Sequence, residues 1–373
     1  MNSGGVGDEE GEHVISRRSL FVGAAVGAAG VAAAAVAGPR ISSAAGGPEP
    51  SAAPATRRIT GAATDVAPGS SVVPAANTDY VSVSSASGAP QRARLRTAGG
   101  DWGPWRELRG CPAGDAQGRA DVLVRVTDAD ELEVELPGGG TATRIDTLGG
   151  EVIGTRAAEA DEATIAGRGI GAKYLSRAAW GADESLRFDE NGVERYPTDF
   201  FPVQTLTVHH TVTDLGGDPI ETMRAIYYSH TIAQDFGDIG YHLLIDPAGR
   251  VYEGRHSGDD GLPVFDRDLR MSNAAHVGGF NAGNVGVALL GDLTDAGPTA
   301  AATRTLVDVL AVLAAVCRID PLSKVDYVNP LSGATATVDA ISGHRDWLAT
   351  ECPGNTFYPM LADVRRRVAA RLR

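Results

Sequence analysis

Lysine is almost missing from this 373-residue chain: Lys173 and Lys324 are the only two, and arginine supplies the other basic side chains. Acidic residues outnumber Lys and Arg by 47 to 33, a formal net charge of −14. That balance lacks the electrostatic footprint of a nucleic-acid-binding protein. Cysteine is scarce too, with Cys111, Cys317 and Cys352, too few for a disulfide scaffold. No C-x-x-C pair occurs, which removes the common structural zinc patterns, and no H-E-x-x-H, which removes a common metalloprotease signature. Cys317 closes the apolar run "TLVDVLAVLAAVC" and reads as a buried helix residue, whereas Cys111 sits in the turn-like "RGCPAG". Whether those two pair is open at the level of sequence. Cys352 needs a reason, because a lone thiol outside the cytoplasm is exposed to oxidation.

An extracytoplasmic setting follows from the N-terminus. Arg17 and Arg18 precede an uncharged run of mostly Ala, Gly and Val from Leu20 to Ala37. "SRRSLF" resembles a twin-arginine export signal, with "AVA" (35–37) and "SSA" (42–44) as cleavage sites. An uncleaved anchor is the alternative, although the run is weakly hydrophobic and short for a span. Residues 1–45 are therefore expected to be an export signal, with no stable membrane insertion after cleavage and an extracellular or wall-associated location. Residues 46–75, rich in Pro, Ala, Gly and Ser, read as a flexible linker. Between 76 and 155, "DYVSVSS", "RARLRT", "DVLVRVT" and "ELEVELP" predict a small all-β domain. Within it, Trp102 and Trp105 are open to two readings, core aromatics or a sugar-stacking platform. Residues 156–172 read as a connection.

From 173 to 373 strands and helices mix. "QTLTVHHT", "YHLLIDPAGRVYEGR", "NVGVALLGD" and "ATVDAISGH" predict strands, while 221–237, 299–318 and 359–373 predict helices. The fold class expected is α/β, a central mixed β-sheet flanked by helices, preceded by the small all-β domain. Seven of the eight histidines fall between 209 and 344. His209 and His344 end predicted strands, where sites are commonly built, and Cys352 follows on the next loop. Two imidazoles and one thiolate suit a catalytic zinc with one open position, and a metal-bound thiolate resists oxidation. Three satisfied polar residues would show the same spacing.

The set "TVHHT", "DIGYHLLIDPAGRVYEGR", "HVGGFNAGNVGVALLGD" and "SGHRDWLATECPG" resembles the peptidoglycan recognition protein family, also seen in phage-type N-acetylmuramoyl-L-alanine amidases, over about residues 173–365. The resemblance implies Zn²⁺ held by His209, His344 and Cys352, and Tyr241 beside the metal as a donor to an oxyanion. It implies peptidoglycan as the partner, with substrate-binding roles for His276, Asn281 and Arg255, and a monomeric amidase. Members that only bind cell wall usually lack the cysteine. Where phage-type enzymes carry a lysine, this chain has Thr350, which weakens but does not remove a catalytic role there. Glu351 is a further candidate proton carrier. His210, His242 and His230 are expected to be structural. A wall-binding module with little hydrolysis is the rival expectation.

Overall fold

The computed structural model describes residues 55–85, 91–97, 99–110, 121–155, 163–167, 170–259 and 262–373. The export-like segment and Cys111 lie outside the described residues.

The first half is built from β1 (Ala55–Arg57), β2 (Thr60–Val66), β3 (Gly69–Pro74), β4 (Tyr80–Ser85), β5 (Gln91–Arg96), β6 (Arg106–Leu108), β7 (Asp121–Arg125), β8 (Glu131–Leu136), β9 (Gly140–Asp146) and β10 (Val152–Thr155). Two antiparallel sheets, ordered β2-β9-β4-β7 and β3-β8-β5-β6, face one another, and β1 pairs with β10. Strand β8, "ELEVEL", shows why. Leu132, Val134 and Leu136 enter the core with Val66, Val81 and Val83. The alternating Glu131, Glu133 and Glu135 face outward and pair with Arg96, Arg94 and Arg92 of β5.

The expected linker over 46–75 is corrected here, since residues 55–74 supply β1, β2 and β3. Strand β2, "TGAATDV", is an edge strand exposed at every residue but its last. Its backbone pairing with β9 therefore leaves no apolar periodicity to read. The connection at 156–172 is corrected likewise. It contains β11 (Ala163–Gly167), which pairs with β12 (Ile170–Tyr174), and Ala172 and Tyr174 belong to the second half's core. Trp102 and Trp105 are not core residues. Arg92 and Arg94 lie 4.6 Å over the Trp105 ring, and Arg96 lies 4.9 Å over Trp102, so each indole stacks on the arginine row.

The second half continues with α1 (Arg177–Trp180), β13 (Phe200–Phe201), β14 (Thr205–His210), α2 (Pro219–Tyr228), β15 (Leu243–Ile245), β16 (Val251–Glu253), β17 (Met271–Ser272), β18 (Asn284–Leu289), α3 (Ala300–Cys317), β19 (Lys324–Val328), β20 (Thr335–Asp339), β21 (Ile341–Gly343) and α4 (Leu361–Arg371). Its central sheet runs β16-β15-β18-β14-β21, parallel except for β16. The expected α/β fold is what forms. Helices α3 and α4 pack on one face, over Leu206, Val208, Val285, Val287 and Ile341. Helix α3 is long and apolar enough to cross a membrane, but 61% of it is buried in this core, which accounts for its composition. On the other face lie α1 and α2 with Leu244, Ala288 and Tyr252. Asp218 caps α2 by accepting from Ile220 N, with Pro219 in the first turn.

The described residues, from 55 onward, form one compact unit. The β-sandwich docks on α2: Tyr80 and Thr222 hydroxyls lie 2.9 Å apart, and those of Ser82 and Ser229 lie 2.8 Å apart. Ile59, Tyr80 and Ile145 join the core of the α2 face. Buried Arg224 donates across the junction to the carbonyls of Thr147 and Arg57. A second buried arginine, Arg177, donates to Asp238 at 3.0 Å and to Gly254 O. Asp238 in turn accepts from the backbone of Ile239 and His256. Arg177→Met would remove the guanidinium that pairs with Asp238, 4% exposed, and with Glu184, at a cost of about 3–5 kcal/mol. Calorimetry should show a thermal midpoint lower by roughly 5–10 °C.

Candidate metal centre

Strand register creates the site. In β14 the side chains alternate, so Leu206 and Val208 enter the α3 core while Thr205, Thr207 and His209 point to the opposite face of the sheet. Strand β21 runs parallel beside β14 with Val208 opposite Gly343. His209 and His344, each one residue further, are therefore neighbours, with ring centroids 4.7 Å apart. The chain then loops through residues 345–351, and Arg345 N donates to Cys352 O at 3.0 Å, which returns Cys352 to the same strand ends. One ligand atom from each of His209, His344 and Cys352 lies within 4.8 Å of the others, and all three residues are buried.

This donor set fits zinc. Bonds of about 2.0–2.3 Å at tetrahedral angles separate ligand atoms by roughly 3.3–3.6 Å. Cys352 Sγ lies 3.6 Å from His209 Nδ1. The sulfur also receives the backbone N–H of His210, at 3.4 Å, which favours a thiolate.

His276 was expected in the substrate groove, and the structure corrects that. It is fully buried behind His209, with its Nδ1 3.0 Å from His209 Nε2 and its Nε2 2.8 Å from Asn284 O. A carbonyl only accepts, so His276 carries its proton on Nε2. Its Nδ1 must then accept from His209 Nε2–H, which leaves the Nδ1 lone pair of His209 facing Cys352. The tautomer is assigned by this network. Burial, then the repulsion that two protonated imidazoles at His209 and His276 would bring, holds His276 well below the usual histidine range, so it stays the neutral acceptor. Such outer partners orient a ligand imidazole. His276→Phe should weaken zinc about 10–100-fold, measured by competition with a chromogenic chelator.

The other substrate-binding expectations are also corrected. Asn281 Oδ1 accepts from His276 N and Val277 N, both at 2.8 Å, so it shapes the loop that carries His276. Arg255 is 3% exposed and donates to the carbonyls of Ile239 and Phe236; its charge is spent on the loop before Tyr241. Thr350 Oγ1 accepts Cys352 N at 3.2 Å, a positioning role for the ligand turn. Glu351 is exposed and accepts from Asn355 Nδ2, away from the buried ligands.

Tyr241 does stand beside the centre, its ring centroid 5.2 Å from His209 and 5.5 Å from His230. His230 Nδ1 accepts Gly240 N at 2.9 Å and so pins the residue before it. His210 and His242 are structural, as expected. Leu293 N donates to His210 Nδ1, while His242 is bonded to Gly286 N and Ser272 O, and burial pushes it down to about 4. What sequence reasoning missed is the reach of the β-sandwich: Asp121 and Leu123 of β7 share a small cavity with Thr211, His230 and Tyr241.

Comparison with known proteins covers this half of the chain. The family described as N-acetylmuramoyl-L-alanine amidase matches residues 199–355. The N-acetylmuramoyl-L-alanine amidase of Homo sapiens is 33% identical over 166 residues, which are 43% of this chain and 24% of that protein. A peptidoglycan-recognition protein of Drosophila melanogaster is 30% identical over 166 residues, 43% of this chain and 73% of that protein. Among solved structures, peptidoglycan recognition protein SD of Drosophila is 24% identical with a TM-score of 0.38, covering 51% of this chain and 93% of that one. The match spans about a quarter of the mammalian amidases. The strands that carry His209 and His344 fall within the family match at 199–355, and the chain belongs to the N-acetylmuramoyl-L-alanine amidase and peptidoglycan recognition protein family.

Proposed function

We propose that this protein is an exported zinc-dependent N-acetylmuramoyl-L-alanine amidase, cleaving the amide between the lactyl group of N-acetylmuramic acid and L-alanine in peptidoglycan. One observation carries the reading: His209, His344 and Cys352 converge in a buried trio whose first histidine is already oriented by His276. Zinc held there would supply Lewis acidity toward the scissile carbonyl and acidify a bound water. The protein's own groups do the remaining work. His276 and Asn284 fix the ring of His209, His210 N and Thr350 fix Cys352, and the Tyr241 phenol donates to the carbonyl oxygen as it gains negative charge. Delivery by the twin-arginine route, on the signal at residues 1–45, belongs to the same proposal.

The test uses the chain from residue 46 onward. Near-stoichiometric zinc is expected by metal analysis, together with release of stem peptide from muropeptides. Chelator should stop that release, and added zinc should restore it. Zinc retention and peptidoglycan pull-down without any cleavage would replace the amidase by a wall-binding module.

A further inference from the structure

The space beside Tyr241 measures only about 30 Å³, room for about one water and not for an amide with its flanking sugar and peptide. Asp121 and Leu123 of β7 form one wall, against Thr211, His230 and Tyr241. A second space, about 710 Å³, lies between β7 and the loops that follow β14 and β18. His209, His344 and Cys352 line neither space, and each is at most 1% exposed. As folded, the centre is closed to substrate.

Strand register shows which part of the sandwich closes it. Strands β4 and β7 pair antiparallel, with Tyr80 opposite Arg125 and Ser84 opposite Asp121. At the Tyr80 end the sandwich is anchored: Ile59, Tyr80 and Ile145 enter the α2-face core, and Asp183 accepts Ile59 N at 3.1 Å. Toward the Asp121 end the attachment changes character. Ser82 meets Ser229 through hydroxyls, Asp121 and Leu123 are only partly buried, and β7 is an edge strand of its sheet. Across the larger space Arg109 pairs with Asp295, their side chains 39% and 79% exposed. An exposed pair of this kind is weak and salt-sensitive.

We infer that the β-sandwich is an autoinhibitory lid. It turns about its anchored Tyr80 end, β7 lifts from Tyr241, and only then does the substrate carbonyl reach the centre. Arg109 and Asp295 latch the closed form. The inference rests on the amidase reading for its substrate, while the lid belongs to a part of the chain outside the family match at 199–355. Where the open form is the minor one, apparent affinity is reduced by its fraction. A change that favours opening therefore tightens binding and raises kcat/KM by a similar factor.

The experiment uses the full chain and one disaccharide-tripeptide muropeptide. Wild type is compared with Arg109→Gln, Asp295→Asn, the charge-swapped double variant Arg109→Asp/Asp295→Arg, and Ser82→Glu, which puts a carboxylate into the contact with Ser229. Zinc-loaded protein gives kcat/KM, and zinc-stripped protein gives Kd by calorimetry. Hydrogen exchange over residues 121–125 and 229–241 reports opening without substrate. Each single latch variant should raise kcat/KM, tighten Kd and speed exchange in both segments about two- to fivefold. The charge swap should return all three toward wild type, and added salt should move wild type more than the latch variants. Ser82→Glu should exceed the latch variants, at about tenfold or more; the latch variants, changed only at the surface, keep the test independent of its folding. Unchanged Kd and exchange in the latch variants, or faster exchange without tighter binding, would overturn the lid. If no variant cleaves, the amidase reading fails, while Kd and exchange still decide the lid.

Discussion

Cys352→Ser is expected to lose zinc and amide cleavage together. The substitution keeps the size of the side chain within one atom but removes the thiolate, the only anionic ligand in the trio. Loss of an outer partner such as His276 costs about 10–100-fold in metal affinity. Removing a charged direct ligand should exceed that, at about a thousandfold or more, and cleavage should fall below detection at stoichiometric zinc. The fold should survive, because Cys352 N and O keep their bonds to Thr350 and Arg345, and a serine hydroxyl can still accept the His210 N–H that the sulfur receives. Metal-free variant and metal-free wild type should therefore melt within a few degrees of each other. The diagnostic measurement is the difference in melting temperature with and without zinc, which ligand linkage makes large for wild type and small for the variant. A variant that binds zinc as tightly as wild type would remove Cys352 from the centre.

The trio was legible in sequence for a physical reason. A histidine at a strand end has its position fixed by the strand, and parallel pairing of β14 with β21 turns two distant strand ends into neighbours. The α/β half was legible because its strands and helices carry strong apolar patterns. The roles of His276, Asn281 and Arg255 were not. All three lie near the groove in chain order, but the direction of a side chain depends on which backbone groups remain to be satisfied inside the loop. One clue was present: Gly286 interrupts the buried strand "NVGVAL". A Cβ there would stand 2.7 Å from the His276 ring, so the glycine marks where a histidine presses on the strand. The sandwich was harder still. Strands β2 and β3 carry exposed or small residues, and their evidence lies in pairing partners some sixty to eighty positions away.

Tyr241→Phe is expected to separate chemistry from metal binding. The ring is 2% exposed and borders only a small cavity. Gly240 N bonds His230, Tyr241 O accepts Arg255 N at 2.8 Å, and the ring packs against His209 and His230. Phenylalanine fills the same space, so the loop, the trio and the zinc content should be preserved. Only the hydroxyl is lost. If it donates to the carbonyl oxygen mainly as charge develops, the loss falls on kcat, by about 10²–10³-fold, with KM changed little. A hydroxyl that merely satisfied a core contact would instead lower the melting temperature slightly and leave kcat within about threefold. Measuring both quantities on one zinc-loaded preparation decides between them. The prediction is strict because the tyrosine is already immobilised: a pre-positioned donor spends no reorganisation energy when the oxyanion forms, and its removal cannot be repaired by a neighbouring side chain swinging in.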